Sequence, residues 1–360
     1  MPQPSPLRSR PAAHPAAKGR RGRVVLGLCV GLAVTLAAGL AGVAAGRNDR
    51  LELNAGLQQS GVLPVPEETA SRAAAYWQGR LDGSHPGTTN PARSGASAAG
   101  GAVTATAGPG PVPVVVSESP PAPPPSTPMK VSDPLAGTAF TGVPQVGAIF
   151  STSNGAATGH YCSGSVVDSP QGDIVVTAAH CVADTTGYVS DIAFVPGFHD
   201  GQDPYGVWEV TNIVVPPQWL SDTDPDDDVA FLTVHLAGSA SRVQDVVGGD
   251  RLGVDAGYTN LVQVVGYPAS TQEPVTCTNY TSEFTDPSLS GPQLEFDCDD
   301  YPSGTSGSPF LAKVDSNTGL GTVIGVIGGF ETGGDTPQVS YSVSFGPAVA
   351  ALLGTAEAKS

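Results

Sequence analysis

Charge is scarce in this chain, and positive charge is scarcest. Only 14% of the 360 residues are charged, with 16 Lys and Arg against 33 Asp and Glu and a net charge of −17. Binding nucleic acid requires clustered cations to meet phosphates, and such a cluster occurs here only within residues 1–23. No nucleic-acid partner is therefore expected, and the acidity reads as a solvated surface. Cysteine is also rare, five in all, and no two stand in a Cys-x-x-Cys spacing. A zinc or other metal site is accordingly not expected, and nothing in the sequence calls for a cofactor. Long helical periods are missing after residue 137, apart from a short apolar stretch at Pro347–Leu353.

What is present is unevenly spread. Residues 1–23 are basic and Pro-rich, and Val24 to Ala45 then runs for 22 residues without a charge. At about 1.5 Å per residue, such a helix crosses a hydrocarbon core of about 30 Å. The stronger positive flank precedes it, which keeps that end inside and sends the remainder out. Two readings stand. One is a long signal peptide cut after Val43-Ala44-Ala45; the other is an uncut signal anchor that holds the chain to the membrane. Either way the remainder is expected to be secreted or membrane-anchored outside the cytoplasm, where Cys162, Cys181, Cys277 and Cys298 suggest two disulfides.

Residues 46–135 read as a disordered Pro/Gly/Ala-rich linker or pro-segment, typified by SESPPAPPPSTP. A short helix is anticipated within it around Glu67–Leu81. From 136 to 356 the texture changes. Short Val-, Ile- and Phe-rich runs such as DIVVTAA, VWEVTNIVVP, DVAFLTV and TVIGVIGGF alternate with Gly, Pro, Asp and Asn. They predict an all-β barrel or sandwich domain.

Three segments carry candidate chemistry: VVTAAHC with His180, DPDDDVAFL with Asp228, and YPSGTSGSPF with Ser306. The nucleophile elbow of another hydrolase fold, Gly-x-Ser-x-Gly, is a near miss, because Ser308 stands where its last Gly belongs and no His follows Ser306. In the order His, Asp, Ser, the segments resemble the trypsin/chymotrypsin family of serine peptidases over about residues 138–354. The resemblance implies two six-stranded antiparallel β-barrels with a short C-terminal helix. It also implies a serine endopeptidase acting on proteins or peptides through a His180, Asp228, Ser306 triad and an acyl-enzyme, with the Gly304 and Ser306 N–H groups as an oxyanion hole. The family places its acid directly before a hydrophobic-Ala-hydrophobic strand, here Val229-Ala230-Phe231, which selects Asp228 and leaves Asp227 as the alternative. It implies a Cys162–Cys181 disulfide and leaves Cys277–Cys298 as the second. A monomer is expected. An inactive homologue serving as a cell-surface binding module is the alternative class, but binding alone has no need of all three triad groups.

The chain departs from the animal-type Gly-Asp-Ser-Gly-Gly-Pro signature at Thr305 and Ser308. The form GTSGSP is more like bacterial branches, including relatives of glutamyl endopeptidases, and DIAFVPGFHDGQDPYGVWEV resembles secreted trypsin-like peptidases of actinobacteria. Ile327 is not the His expected of glutamyl-specific relatives. Asp300, six residues before Ser306, stands where trypsin-like members carry the acid that binds Arg or Lys at P1, though an acidic loop is the plain alternative. Phe330 stands where a small residue usually lines the S1 pocket, which it would narrow. His160, His199 and His235 read as surface or core histidines.

Overall fold

The computed structural model describes residues 50–51, 61–82, 135–151 and 159–360. The basic segment 1–23, the apolar run 24–45 and residues 83–134 lie outside the described residues. Among the described residues no helix is long and apolar enough to cross a membrane.

After a two-residue strand at Arg50–Leu51, which pairs with Tyr188 and Val189, come strand β1 (Val62–Pro64) and helix α1 (Glu67–Leu81). β1 and α1 both lie inside the stretch 46–135 read as a disordered linker or pro-segment, and over 61–82 the chain forms a strand and a helix rather than disorder. The helix has the bounds anticipated for it. Ala70, Ala73, Ala74, Trp77 and Leu81 form its buried stripe, at helical spacing. Glu67 and Glu68 sit at its positive end and Arg80 in its last turn. The small alanines let the helix lie close to the protein, and Trp77 fills the space beyond them. Its ring centroid is 5.1 Å from that of Phe150, and its Nε1–H donates to the Asp191 carbonyl at 3.3 Å.

The first barrel is made of β2 (Val146–Phe150), β3 (His160–Val167), β4 (Ile174–Thr177), β5 (Ala193–Pro196), β6 (Trp208–Val214) and β7 (Ala230–Leu236). Their order is β7-β4-β3-β2-β5-β6, and β6 pairs back onto β7, closing six antiparallel strands. β1 joins at β6, with Leu63 opposite Ile213. β2 and β4 are buried at every position, which suits their β-branched residues. Helix α2 (Pro217–Asp222) links β6 to β7, and its Trp219 donates Nε1–H to the Ala183 carbonyl at 2.8 Å. All three tryptophans of the chain, Trp77, Trp208 and Trp219, are buried on this side of the molecule.

After helix α3 (Val243–Val247) the second unit comprises β8 (Leu261–Gly266), β9 (Val275–Phe284), β10 (Gln293–Asp297), β11 (Pro309–Ala312), β12 (Thr322–Val326) and β13 (Val339–Ser342). Their order is β12-β11-β8-β9-β10-β13, antiparallel throughout. At the seam, Ser342 Oγ accepts from Val326 N at 2.8 Å in place of a continuous ladder. This unit is thus a second six-stranded antiparallel sheet, curled so that β12 and β13 meet at that seam. Two short strands extend it, Arg251–Leu252 on β12 and Thr138–Ala139 on β9. Helix α4 (Pro347–Glu357) crosses back onto β6 and β7. Disulfides join Cys162 to Cys181 and Cys277 to Cys298.

Candidate active site

β4 runs into a single 3-10 turn, Ala179–Cys181, with His180 at its centre. The disulfide to Cys162 ties that turn to β3, and Tyr161 Oη–H donates to the Cys181 carbonyl at 2.7 Å. His180 Nδ1 meets Asp228 Oδ2 at 2.7 Å. Asp228 caps the turn Pro225–Asp227, with only Val229 between it and β7. It is wholly buried and accepts two further bonds, from His180 N to Oδ1 at 2.9 Å and from Gly329 N to Oδ2 at 2.8 Å. The carboxylate that meets His180 is therefore that of Asp228 rather than Asp227.

Burial disfavours charge on both groups. For His180 burial is the largest single influence and pushes down, but the attraction of Asp228 and the hydrogen bond to it together prevail and hold the imidazole pKa above its usual value. For Asp228 burial again pushes up, but His180 and the donated N–H groups win, and its pKa is held below the ordinary carboxylate value. The pair thus favours an ionised acid beside an imidazole that takes up a proton readily.

Ser306 lies in the loop between β10 and β11, half-exposed. Its carbonyl accepts from Ser163 N at 2.7 Å. Gly307, with φ +80°, follows so close to the His180 strand that a Cβ there would stand 2.2 Å from both Ser163 O and Thr177 Oγ1. Gly304 also has positive φ, +102°, and a Cβ on it would stand 2.2 Å from Ala269 N. Both positions therefore require glycine. Among the described residues, neither the Gly304 N–H nor the Ser306 N–H is given to a protein acceptor, and Ser306 Oγ makes no hydrogen bond to His180. Catalytic contacts of this kind often tighten only when substrate is bound.

Asp300 is exposed, in left-handed backbone at φ +69°, with its Cβ beside Gly137. Phe330 is half-buried, its ring 4.8 Å from that of Phe284 and 5.2 Å from that of Tyr341. His160 is buried between Phe150 and Phe198, where burial lowers its pKa despite the contact of Nε2 with the Pro268 carbonyl. His235 is exposed, and His199 Nδ1 contacts the Gly197 carbonyl. Cys162, His180 and Cys181 come together, but both sulfurs are spent in the disulfide and offer a metal no thiolate.

Sequence reading missed two contributors. Gly329 supplies its N–H to Asp228 from 101 residues away. Ser163 braces the nucleophile loop, its Oγ accepting from Tyr267 N at 2.9 Å and donating to Gly304 O at 3.0 Å. Only its place next to Cys162 hinted at such a role.

The family model described as Trypsin matches residues 139–348. The chain belongs to the trypsin family. It is a serine endopeptidase, and its substrates are proteins or peptides. Its fold is similar to that of the protease Anisep from Arthrobacter nicotinovorans, with 26% identity and a TM-score of 0.52 over 62% of this chain and 100% of that one. A thermostable serine protease, AL20, from an extremophilic microorganism is similar at 25% identity and a TM-score of 0.51, over 60% of this chain and 98% of that one. No curated protein matches. His180 and Asp228 lie on the first barrel, and Ser306 lies in the second unit.

Proposed function

We propose that His180, Asp228 and Ser306 form the catalytic triad, with the Gly304 and Ser306 N–H groups as the oxyanion hole. The observation that carries this reading is the 2.7 Å contact between His180 Nδ1 and the wholly buried Asp228 carboxylate. That contact fixes the proton on Nδ1 and leaves Nε2 free to act as a base. Nε2 takes the Ser306 hydroxyl proton as Oγ attacks the substrate carbonyl. The carbonyl oxygen becomes anionic, and the two uncommitted N–H groups receive it. Collapse of the intermediate breaks the C–N bond, and His180 gives its proton to the departing amine. Water repeats the sequence on the acyl-enzyme and frees Ser306.

For P1 we propose a basic residue, bound by the Asp300 carboxylate, which no cation among the described residues neutralises. We further propose that the run 24–45 exports the chain as a signal peptide or signal anchor, that residues 46–135 act as a linker or pro-segment, and that the monomeric catalytic part works outside the cytoplasm.

The deciding experiment is fluorophosphonate labelling of the full chain beside Ser306→Ala, His180→Ala and Asp228→Asn. Labelling confined to the unsubstituted protein is the expected result. Labelling of Ser306→Ala at the same rate would overturn the assignment.

A further inference from the structure

The Asp228 carboxylate is held by two segments distant in sequence, and one side chain is bonded to both. Gln293 opens β10 and is 1% exposed. Its Oε1 accepts from Phe330 N at 2.9 Å. Its Nε2 donates to Asp226 Oδ1 at 3.1 Å and to the Pro225 carbonyl at 3.2 Å. The amide has one possible orientation here, because a backbone N–H faces one end and two acceptors face the other.

These contacts bracket the acid. Pro225 and Asp226 belong to the turn that ends on Asp228. Phe330 follows Gly329, whose N–H binds the Asp228 oxygen facing His180. Asp226 is itself anchored at its second oxygen by Ser290 N. Bridging the two segments fixes the distance between Asp228 and the Gly329 donor. Among the described residues, none of the Gln293 side-chain hydrogen bonds goes to His180, Asp228 or Ser306.

Resting on the triad reading above, we infer that Gln293 is a positioning residue for catalysis: it clamps the 225–228 turn to Gly329–Phe330 so that Asp228 keeps the orientation His180 requires. Gln is suited to this because it donates and accepts at once without adding charge. A carboxylate at 293 would face Asp226 and the Pro225 carbonyl with no proton to give. Other titratable groups nearby are Asp224, Asp227 and Asp228 in the acid turn, His180 beyond them, and Glu331 after Phe330. A protonated Glu restores one donor and one acceptor, so Gln293→Glu should recover as pH falls.

The test uses the full chain and a fluorophosphonate probe, reading the maximal labelling rate separately from half-saturation, between about pH 5 and 9. Gln293→Ala should lower the maximal rate by about 10- to 100-fold, with half-saturation within about twofold, as small misplacements of catalytic groups do. For Gln293→Glu, the rate relative to the unsubstituted protein should climb steadily as pH falls. A structural lesion alone gives a ratio that does not change with pH. Ser306→Ala and His180→Ala run in parallel. If either labels normally, the triad reading fails and takes this inference with it. If both are silent, the inference alone is overturned by a Gln293→Ala rate within twofold of the unsubstituted protein, or by a Gln293→Glu ratio flat with pH.

Discussion

Gly329 and Asp228 meet at 2.8 Å, backbone N–H to carboxylate Oδ2, on the oxygen that also faces His180 Nδ1. Asp228 is thus surrounded by donors. Asn at 228 must turn its NH₂ toward at least one of them, so a buried donor is left unpaired, at about 1–3 kcal/mol. Asp228→Asn should therefore fold but lose about 10⁴-fold in kcat, as an acid-to-amide change does in this type of triad. Thermal unfolding measures the first effect and peptide hydrolysis rates the second.

The pH profile follows from the same pair. His180 must be neutral to act as base, so kcat/KM should fall as pH drops through its pKa. That limb should lie above 6.5, because Asp228 raises it. Asp228→Asn should move the limb down. The stabilising contribution of raised His180 is complete below about 6.5 and fades as pH rises through its folded value. That of lowered Asp228 is present above 3.8 and is lost as pH falls through its folded value. An acid limb at or below 6.5 would contradict this account.

Gly304→Ala places a Cβ against Ala269 N and forces a strained φ. The backbone cost is of order 1–3 kcal/mol, and the loop that presents the Ser306 N–H should shift. Loss of probe labelling with only a moderate drop in Tm is the expected pattern.

Trp77→Ala should cost about 3–5 kcal/mol, since a buried aromatic is removed from a packed interface. Arg72→Ala should cost under about 1 kcal/mol, because its 3.5 Å contact with Asp191 is at the surface. Urea midpoints of the two variants compare the effects directly. Equal midpoints would mean that α1 contributes little to the first barrel.

Asp300→Asn removes the proposed P1 partner. The preference for Arg or Lys over a neutral residue should shrink by about tenfold, or ~1.4 kcal/mol. A peptide library cleaved by both proteins measures it, and an unchanged P1 profile would rule out Asp300 as the determinant.

Much of this was legible in the sequence because the signals are local. His180, Asp228 and Ser306 sit in short strings of recognisable form, the strand runs coincide with strands, and the apolar stripe of α1 is spaced as a helix requires. The contributions of Gly329, Ser163 and Gln293 were not legible. Each acts through contacts made across the fold, and a glycine N–H leaves no mark in a sequence. β1 was hidden for a related reason. Val62–Pro64 is too short and too near prolines to announce a strand, and it becomes one only because β6 offers it an edge. The seam between β12 and β13 is likewise set by packing rather than by either strand's composition.

The placement of the tryptophans gives the molecule a built-in optical asymmetry. With Trp77, Trp208 and Trp219 all buried on the first-barrel side, indole emission reports the loosening of that half and of the α1 contact. The β8–β13 half has only its tyrosines to report with. Following emission and far-ultraviolet dichroism on one sample would thus separate the melting of the half that carries His180 and Asp228 from the half that carries Ser306.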